Sequence, residues 1–426
     1  MTHSEPIDKI EALLQSYERF GVHLGLEASL KLLTDLGNPQ AQVPVVHVAG
    51  SNGKGSVCAY LSTILTEAGY KTGRYTSPHL IDWTERICIN NQQIDPTALY
   101  QTLLKVQSKI DPACSPTQFE VITAAMWLYF AEQKVDIAII EVGLGGRLDA
   151  TNVIEHPLVS VIVSISREHW QRLGFTLSSI AGEKAGILKP ECPAVIGQLP
   201  DEAASVIDRR IADLNCPAVY PEPSKLIDGW AHQGTLKYQL PLQGDIQLHN
   251  SALVIAVIQL LRQQNWNISD SAIVNGIRNT KWAGRLQWYE WKEHKILIDG
   301  AHNPASAEAL RQYVDQLKQS SNHCSTHWVM GMLSTKDHAD IFKALLRSQD
   351  SLFLVPVPGH SSADPTELAN LAQEICPGLE HCQIYPDVAT ALDSAIAHAE
   401  LVVFCGSLYL IGDFFKQQRN IASIFG

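Results

Sequence analysis

The sequence contains no long apolar run and no paired cysteine motif. No stretch approaches the roughly 18 uncharged apolar residues that a membrane-spanning helix needs. The first 20 residues carry acidic side chains and no apolar core, so no signal peptide is expected. The nine cysteines lack CxxC spacing, which argues against a thiolate metal site and favours a reducing compartment. We therefore expect a soluble cytoplasmic protein.

Positive charge is also scarce. Lysine and arginine number 32 against 44 acidic residues, which gives a net charge of -12. Such a surface matches nucleic acid or an anionic membrane poorly, unless the positive charge is concentrated in one cleft. Hydrophobic residues make up 46% of the chain and charged residues 18%, which is typical of a globular protein. The length of 426 residues is too great for one ordinary core and predicts two domains.

Apolar runs alternate with helical patterns along the chain. Continuous apolar runs occupy most of the segments 43–50, 135–143 and 157–166, and a helical pattern covers 55–69. Such runs are typical of parallel strands covered by helices on both faces. A polar middle, 216–243, predicts short antiparallel strands or loops. We predict an α/β protein with an N-terminal P-loop-type, mostly parallel sheet (1–287) and a smaller Rossmann-like α/β domain (288–426), with a hinge at 286–292.

The stretch "HVAGSNGKGS" (47–56) lies where an apolar run meets a helical pattern. Glycines there let consecutive N–H groups point inward, and the following helix offers its positive end to an anion. Lys54 would then lie against phosphate, and Ser56 would bind phosphate or a metal ion. The spacing GxxGKGS departs from the usual GxxxxGK[ST], so a plain strand-to-helix turn remains the alternative.

A second glycine cluster, "EVGLGGRLDATN" (141–152), does not fit a dinucleotide fingerprint, because Leu148 occupies the third glycine position of GxGxxG. Glu141 ends the preceding apolar run. A carboxylate there would face the crevice at the carboxyl ends of parallel strands and suits a magnesium ligand. A solvated glutamate at a strand end is the alternative.

Together these segments resemble the folylpolyglutamate synthase/dihydrofolate synthase family of the ATP-dependent Mur ligase superfamily. The resemblance covers nearly the whole chain. Besides the two glycine segments it includes "GRYTSPHLIDWTERICIN", "FEVITAAMWLYF", "GEKAGILKP", "WAGRLQ", "DGAHNP", "GMLSTKD" and "GSLYLIGD", in the order of the family. Many motifs in one order are far more specific than any one of them.

The resemblance implies an ATP-dependent ligase with two magnesium ions. It would activate a carboxylate as an acyl phosphate, which the amine of glutamate attacks. Ser77 and Glu141 would hold one magnesium ion and His169 the second, although relatives usually have aspartate where Glu168 precedes that histidine. Lys184 matches a lysine that carries a carbamate in the superfamily, with an ordinary salt bridge as the alternative. The implied catalytic residues are Lys54, His169 and Lys184.

The resemblance also implies which residues bind the nucleotide and which bind the amino acid. The implied ATP-binding residues are Gly53, Lys54, Gly55, Ser56, Asn250, Arg285 and Asp299. His302 and Ser407 would bind the incoming glutamate, with capping or packing at strand ends as the alternative. Ile246 stands where relatives often have histidine. A cleft between the two domains would close on ATP and exclude water.

Three segments, "RFGVHLGLE" (19–27), "TQFE" (117–120) and "RLD" (147–149), resemble the acceptor site of bifunctional members. They imply pterin or folate binding by His23, Leu24, Gly25, Thr117, Gln118, Phe119, Glu120, Arg147, Leu148 and Asp149. We therefore expect dihydropteroate, reduced folates and L-glutamate as substrates, no nucleic acid or membrane partner, and a monomer. Arg147 could clamp a carboxylate, and a surface ion pair is the alternative.

Three other functions remain open. An enzyme that only extends polyglutamate tails would use the same ligase chemistry. A ligase acting on a UDP-linked peptidoglycan precursor would need a further N-terminal domain, and the glycine stretch already begins by residue 50. A regulatory nucleotide-binding module would need neither the lysine segment nor "DGAHN", and it would release no ADP with folates and glutamate.

Overall fold

A computed structural model of the chain describes residues 4–17, 25–111, 116–321, 325–397 and 401–418. The chain divides into two compact units, one formed by 1–241 and 248–280 and the other by 242–247 and 281–426. Each unit has its own sheet and its own apolar core. Within the described ranges, no helix has the length and apolar character needed to cross a membrane.

The first unit is built on an eight-stranded sheet with the order β4-β3-β2-β5-β1-β6-β7-β8. All neighbours from β2 to β8 are parallel, and β3 and β4 add an antiparallel edge. The strands are β1 (Val45–Ala49), β2 (Thr72–Tyr75), β3 (Ile87–Ile89), β4 (Gln92–Gln93), β5 (Ile137–Glu141), β6 (Val159–Ile162), β7 (Ala194–Ile196) and β8 (Ala218–Val219).

Helices connect these strands, as parallel neighbours require. They are α1 (Ser4–Gln15), α2 (Glu27–Asp35), α3 (Lys54–Glu67), α4 (Pro96–Gln107), α5 (Gln118–Glu132), α6 (Trp170–Leu173), α7 (Leu177–Ala185), α8 (Asp201–Leu214), α9 (Ile246–Gln263) and α10 (Asp270–Asn279). The polar middle of the chain forms a separate antiparallel sheet of β9 (Lys225–Ile227), β10 (Trp230–Gln233) and β11 (Leu236–Tyr238), as the sequence indicated.

The second unit has a six-stranded sheet with the order β12-β13-β17-β14-β15-β16. Its strands are β12 (Gln287–Trp291), β13 (His294–Ile298), β14 (His327–Met330), β15 (Ser351–Leu354), β16 (His381–Ile384) and β17 (Val402–Cys405), all parallel except β12. Its helices are α11 (Pro304–Ser321), α12 (His338–Leu345), α13 (Pro365–Ile375), α14 (Val388–Ile396) and α15 (Leu408–Gln417).

The predicted fold class is confirmed, and the reason is visible in β1. Every residue of this strand is buried, because it lies between two parallel neighbours and under helices. One local expectation is wrong. Residues 287–291, predicted as part of a hinge, form β12 and pair with β13 through all five residues. The alternation Gln-Trp-Tyr-Glu-Trp suits an edge strand with one half-buried face.

Candidate active site

The glycine turn between β1 and α3 is shaped by contacts that only glycine allows. Gly53 has φ of 86°, in the left-handed region that favours glycine. A Cβ placed on it would lie 2.7 Å from Oδ1 of Asn250 and 2.9 Å from Cγ1 of Val163. Asn250 lies on α9 and is predicted to contact ATP. The structure places its side chain directly against this turn.

Helix α3 begins at Lys54, so its first turn contains the three predicted phosphate-loop residues Lys54, Gly55 and Ser56. The first N–H groups of a helix have no partner inside the helix, and the helix dipole places partial positive charge there. The turn precedes the helix at the carboxyl end of β1, the edge where open α/β sheets bind ligands. This arrangement is a binding geometry for an anion such as phosphate.

Two lysines converge on one carbonyl of the turn. Nζ of Lys54 donates to the carbonyl oxygen of Gly50 at 2.8 Å, and Nζ of Lys184, on α7, donates to the same oxygen at 2.9 Å. Lys184 also forms a salt bridge of 2.7 Å with Glu168. The glycine turn and the lysine segment are thus parts of one site.

This ion pair is almost fully buried, with 2% of the Lys184 side chain and 9% of the Glu168 side chain exposed. Burial alone would raise the pKa of Glu168, but the charges of Lys184, Lys54 and His169 lower this pKa to about 2. Burial lowers the pKa of Lys184, and the Glu168 carboxylate opposes that shift. Glu168 is therefore a carboxylate at neutral pH.

Ser77 and Glu141 form a second part of the site. Glu141 is the last residue of β5 and is buried, and the backbone N–H of Ser77 donates to its Oε2 at 3.1 Å. Glu85 holds the loop after Ser77, because its carboxylate accepts hydrogen bonds from the N–H groups of Leu80, Ile81 and Asp82. The structure thus brings together the two residues predicted to share a magnesium ion.

His169 precedes α6 and adopts the left-handed conformation, with φ of 45°. Its charge contributes to the lowered pKa of Glu168, so it belongs to the same electrostatic neighbourhood as Lys184. Among the described residues, no three histidine, cysteine, aspartate or glutamate side chains group as a metal site. A metal ion at Ser77, Glu141, His169 or Lys184 stays a prediction.

The predicted acceptor segment at the start of α5 forms a capping box. Oγ1 of Thr117 accepts from the N–H of Glu120, and the Glu120 carboxylate accepts from the N–H of Thr117. Gln118 is buried. The Phe119 ring lies over Gly143, where a Cβ would come within 2.4 Å of the ring. This contact joins the segment to the "EVGLGGRLDATN" loop.

Arg147 forms a surface ion pair, which is one of the two roles that its sequence position suggested. Its Nε and Nη2 donate to Oε1 of Glu183 at 3.1 and 2.8 Å, and its N–H donates to the Glu183 carbonyl at 2.7 Å. Leu148 is partly exposed beside it. Of the predicted segment 19–27, Gly25 lies just before α2, whereas His23 and Leu24 lie outside the described residues.

Asp149 is buried and organises its own loop. One carboxylate oxygen accepts from the N–H of Leu144 at 2.8 Å, and the other accepts from the N–H and hydroxyl of Thr151 at 3.0 and 2.6 Å. Thr151 in turn lies 2.9 Å from Nε2 of His47 on β1. Burial raises the pKa of Asp149, and these hydrogen bonds oppose the shift. The 141–152 loop is therefore connected to the strand that leads into the glycine turn.

The second unit gathers the predicted "DGAHN" residues after β13. Asp299 is buried, and its two carboxylate oxygens accept from the N–H groups of Leu286 and Ala301 at 2.9 and 2.8 Å. Burial raises the pKa of Asp299, while the charge of Arg285 opposes that shift. A Cβ on Gly300 would lie 3.1 Å from Nη1 of Arg285. The two predicted ATP contacts of this unit are therefore neighbours.

His302 and Ser407 lie at the ends of adjacent parallel strands. Nδ1 of His302 is 2.7 Å from the Gly300 carbonyl oxygen, and Ser407 precedes α15 without capping it through its side chain. The N–H of Gly406 donates to the Ala301 carbonyl at 3.1 Å, which joins the two loops. The capping alternative for Ser407 thus finds no support.

Sequence reasoning left the role of Glu168 open and missed His47 and Thr151. Glu141 ends β5, and Glu168 follows β6 at the same sheet edge. The position of Glu168 after a strand could therefore have indicated a role at this site. His47 lies inside an apolar run, where no local pattern distinguishes it from a packed residue.

The fold and this site define a nucleotide-binding α/β protein, with a glycine turn, a helix N-terminus and two lysines at the carboxyl edge of a parallel sheet. Comparison with known proteins narrows this class. The family description "Dihydrofolate synthetase, C-terminal domain" matches residues 285–417.

A probable dihydrofolate synthetase of Schizosaccharomyces pombe is 35% identical over 93% of this chain and 98% of its own. The dihydrofolate synthase/folylpolyglutamate synthase of Bacillus subtilis is 34% identical over 94% and 96%. The chain belongs to the folylpolyglutamate synthase/dihydrofolate synthase family.

Solved structures of proteins with names from this family are similar to the fold of this chain. Escherichia coli FolC in complex with DHPP and ADP has a TM-score of 0.84 and 28% identity, covering 99% of this chain and 100% of that one. The bifunctional Yersinia pestis enzyme complexed with AMPPNP and Mn ion has a TM-score of 0.82 and 28% identity, covering 98% and 99%.

Proposed function

We propose that the protein is an ATP-dependent ligase that joins the amine of L-glutamate to the carboxylate of dihydropteroate, forming dihydrofolate, and to reduced folates, forming folylpolyglutamates. The observation that carries this proposal is the convergence of Lys54 and Lys184 on the Gly50 carbonyl at the N-terminus of α3. The named activities of the relatives and the nucleotides in the structural neighbours support it.

The chemistry follows from the poor reactivity of a carboxylate. Its oxide is a very poor leaving group, so the acceptor is first phosphorylated by ATP to an acyl phosphate. Charge accumulates on the phosphoryl group during transfer, and preformed positive groups stabilise it best. Lys54 and the first N–H groups of α3 supply that charge. Glutamate then attacks the acyl carbon, and phosphate leaves.

The residues present fit a divalent cation. Magnesium prefers oxygen ligands, and the hydrogen bond from the Ser77 N–H to Glu141 sets a hydroxyl-bearing residue beside a buried carboxylate. We assign one magnesium ion to Ser77 and Glu141 and a second to His169. Bound there, magnesium would neutralise the β- and γ-phosphate oxygens. The manganese ion in the Yersinia pestis neighbour supports this assignment.

A carbamate on Lys184 is part of the proposal. The ammonium group of Lys184 would first lose a proton, and the neutral amine would then add to carbon dioxide with loss of a second proton, which gives an anionic carbamate that can bind a metal ion. An anion there would lie beside the Glu168 carboxylate, which now accepts from the ammonium at 2.7 Å. Two neighbouring anions repel each other, so the modification needs the divalent cation. Carbon-13 NMR with labelled bicarbonate would detect the carbamate only when magnesium is present.

In the second unit, Arg285 and Asp299 are assigned to ATP, and His302 and Ser407 to glutamate. Their support is their grouping at the carboxyl ends of β13 and β17, where ligands bind in such sheets. We further propose a monomer in the cytoplasm. The free state of all seven cysteines in the described ranges supports a reducing compartment.

ADP release tests the function. The purified protein receives ATP, magnesium and glutamate with 7,8-dihydropteroate in one reaction and a tetrahydrofolate monoglutamate in another. Turnover with both acceptors is expected, and Lys54→Met should abolish it while the fold persists. Turnover with the folate alone would leave a polyglutamate-extending enzyme. ATP binding without acceptor-dependent ADP release would overturn the ligase proposal in favour of a regulatory module.

A further inference from the structure

A hydrogen bond connects helix α2, which begins at the end of the predicted segment 19–27, to the predicted segment at the start of α5, through a residue that none of the motifs contains. Ser29 lies in α2, one turn after Gly25, and only 5% of it is exposed. Its hydroxyl donates to Oε1 of Glu120 at 3.0 Å. The two residues are 91 positions apart in the sequence. The bond therefore fixes α2 to the start of α5.

The Glu120 carboxylate is occupied on both oxygens. Oε2 accepts from the N–H of Thr117 at 2.7 Å and from its hydroxyl at 2.9 Å, while Oε1 accepts from Ser29. A carboxylate held by three donors has little rotational freedom. Its position is set jointly by the capping box and by α2.

The next residue back, Phe119, connects this arrangement to the 141–152 loop. Its ring fills the space where a Cβ of Gly143 would lie, and it packs near Tyr75 with ring centroids 6.3 Å apart. A rotation of the first turn of α5 would thus move the ring against the loop that carries Arg147. Ser29, Glu120 and Phe119 form a continuous series of contacts from α2 to that loop.

We propose that Ser29 is a positioning residue for the pterin-containing acceptor. It holds Glu120, and through it Phe119, in the orientation that the acceptor binds. The inference rests on the proposed function, because it concerns binding of the carboxylate substrate. Without the hydroxyl, Oε1 of Glu120 loses its partner, and the capping box alone holds the first turn of α5. The nucleotide residues on α3 are not part of this series.

The test compares Ser29→Ala with Ser29→Thr, which keeps a hydroxyl, and with Thr34→Ala. Thr34 lies on the same helix, but its hydroxyl donates within that helix, to the Leu30 carbonyl at 2.8 Å. Initial rates of ADP release give KM and kcat for dihydropteroate, a tetrahydrofolate and ATP. We expect Ser29→Ala to raise the KM for dihydropteroate about tenfold, as loss of one hydrogen bond to a charged group predicts.

The KM for ATP and the kcat should change less than about twofold in Ser29→Ala, because the nucleotide residues on α3 are not part of this series of contacts. Ser29→Thr should restore the KM for dihydropteroate, and Thr34→Ala should leave it unchanged. If Ser29→Ala does not fold, Ser29→Cys, whose thiol is a weak donor, replaces it and should give an intermediate KM.

An unchanged KM for dihydropteroate in the Ser29 variants would overturn the positioning role. An equal rise in the KM for ATP would do so as well, since it would indicate a general loss of structure. Failure of the wild-type protein to release ADP with either acceptor would instead reject the proposed function, and the inference with it.

Discussion

The glycine turn allows a quantitative prediction from a single methyl group. In Gly53→Ala the new Cβ would meet Oδ1 of Asn250 at 2.7 Å and Cγ1 of Val163 at 2.9 Å, both shorter than van der Waals contact. A non-glycine residue in the left-handed region adds about 1–2 kcal/mol of strain. The turn must therefore deform, or the folded state must lose at least that much stability.

Gly69→Ala provides a matched control at the other end of the same helix. Gly69 has φ of 91°, but no atom lies within 4 Å of its Cβ position. Both variants should lose about 1–2 kcal/mol of unfolding free energy in urea from the backbone strain alone. Only Gly53→Ala should also raise the KM for ATP, by about tenfold if 1.4 kcal/mol of the strain is relieved by deforming the turn.

The measurements are urea unfolding and the ATP dependence of ADP release. An unchanged KM for ATP in Gly53→Ala would refute the reasoning, whatever stability the two variants lose. That result would mean that ATP does not depend on the backbone shape of this turn.

Three further variants test other parts of the site. Glu168→Gln leaves the charge of Lys184 buried and should lower the unfolding free energy by about 3 kcal/mol at neutral pH. Because the folded pKa of Glu168 lies below its ordinary value of 4.5, this stabilisation is present above pH 4.5 and should disappear as the pH falls toward 2, which urea unfolding across that range would reveal. Asp149→Asn keeps only one acceptor oxygen, so the side chain loses its hydrogen bonds either from Leu144 or from Thr151. The unfolding free energy should fall by about 1–3 kcal/mol, and the KM for dihydropteroate should rise. Ser77→Ala should raise the magnesium concentration for half-maximal ADP release about tenfold, and Ser77→Thr should not.

The sequence predicted the parts of the site that depend on local pattern. The turn at Gly53 follows from glycine spacing between an apolar run and a helix, and the position of Glu141 follows from the end of an apolar run. Both patterns are contiguous, and parallel strands necessarily align their carboxyl ends at one edge. The motif order carried the family assignment.

The unpredicted parts depend on contacts between distant segments. The bond between Ser29 and Glu120 joins different helices, and neither residue type indicates such a partner. Likewise, the donation of Lys54 and Lys184 to one carbonyl oxygen depends on how α7 packs against the turn. The sequence predicts a hinge at 286–292 because this segment lies between two α/β patterns, whereas the strand at 287–291 forms through its pairing with β13.

The contact between Thr151 and His47 has a consequence for the histidine tautomer. Since the Thr151 hydroxyl donates its proton to Asp149, its oxygen must accept one, and His47 must carry its proton on Nε2. Nδ1 then keeps a bare lone pair, and it makes no hydrogen bond within the described part of the chain. Burial lowers the pKa of His47 to about 3. This imidazole therefore stays uncharged throughout the neutral range, and nitrogen-15 NMR should show a single Nε2–H tautomer that does not titrate there.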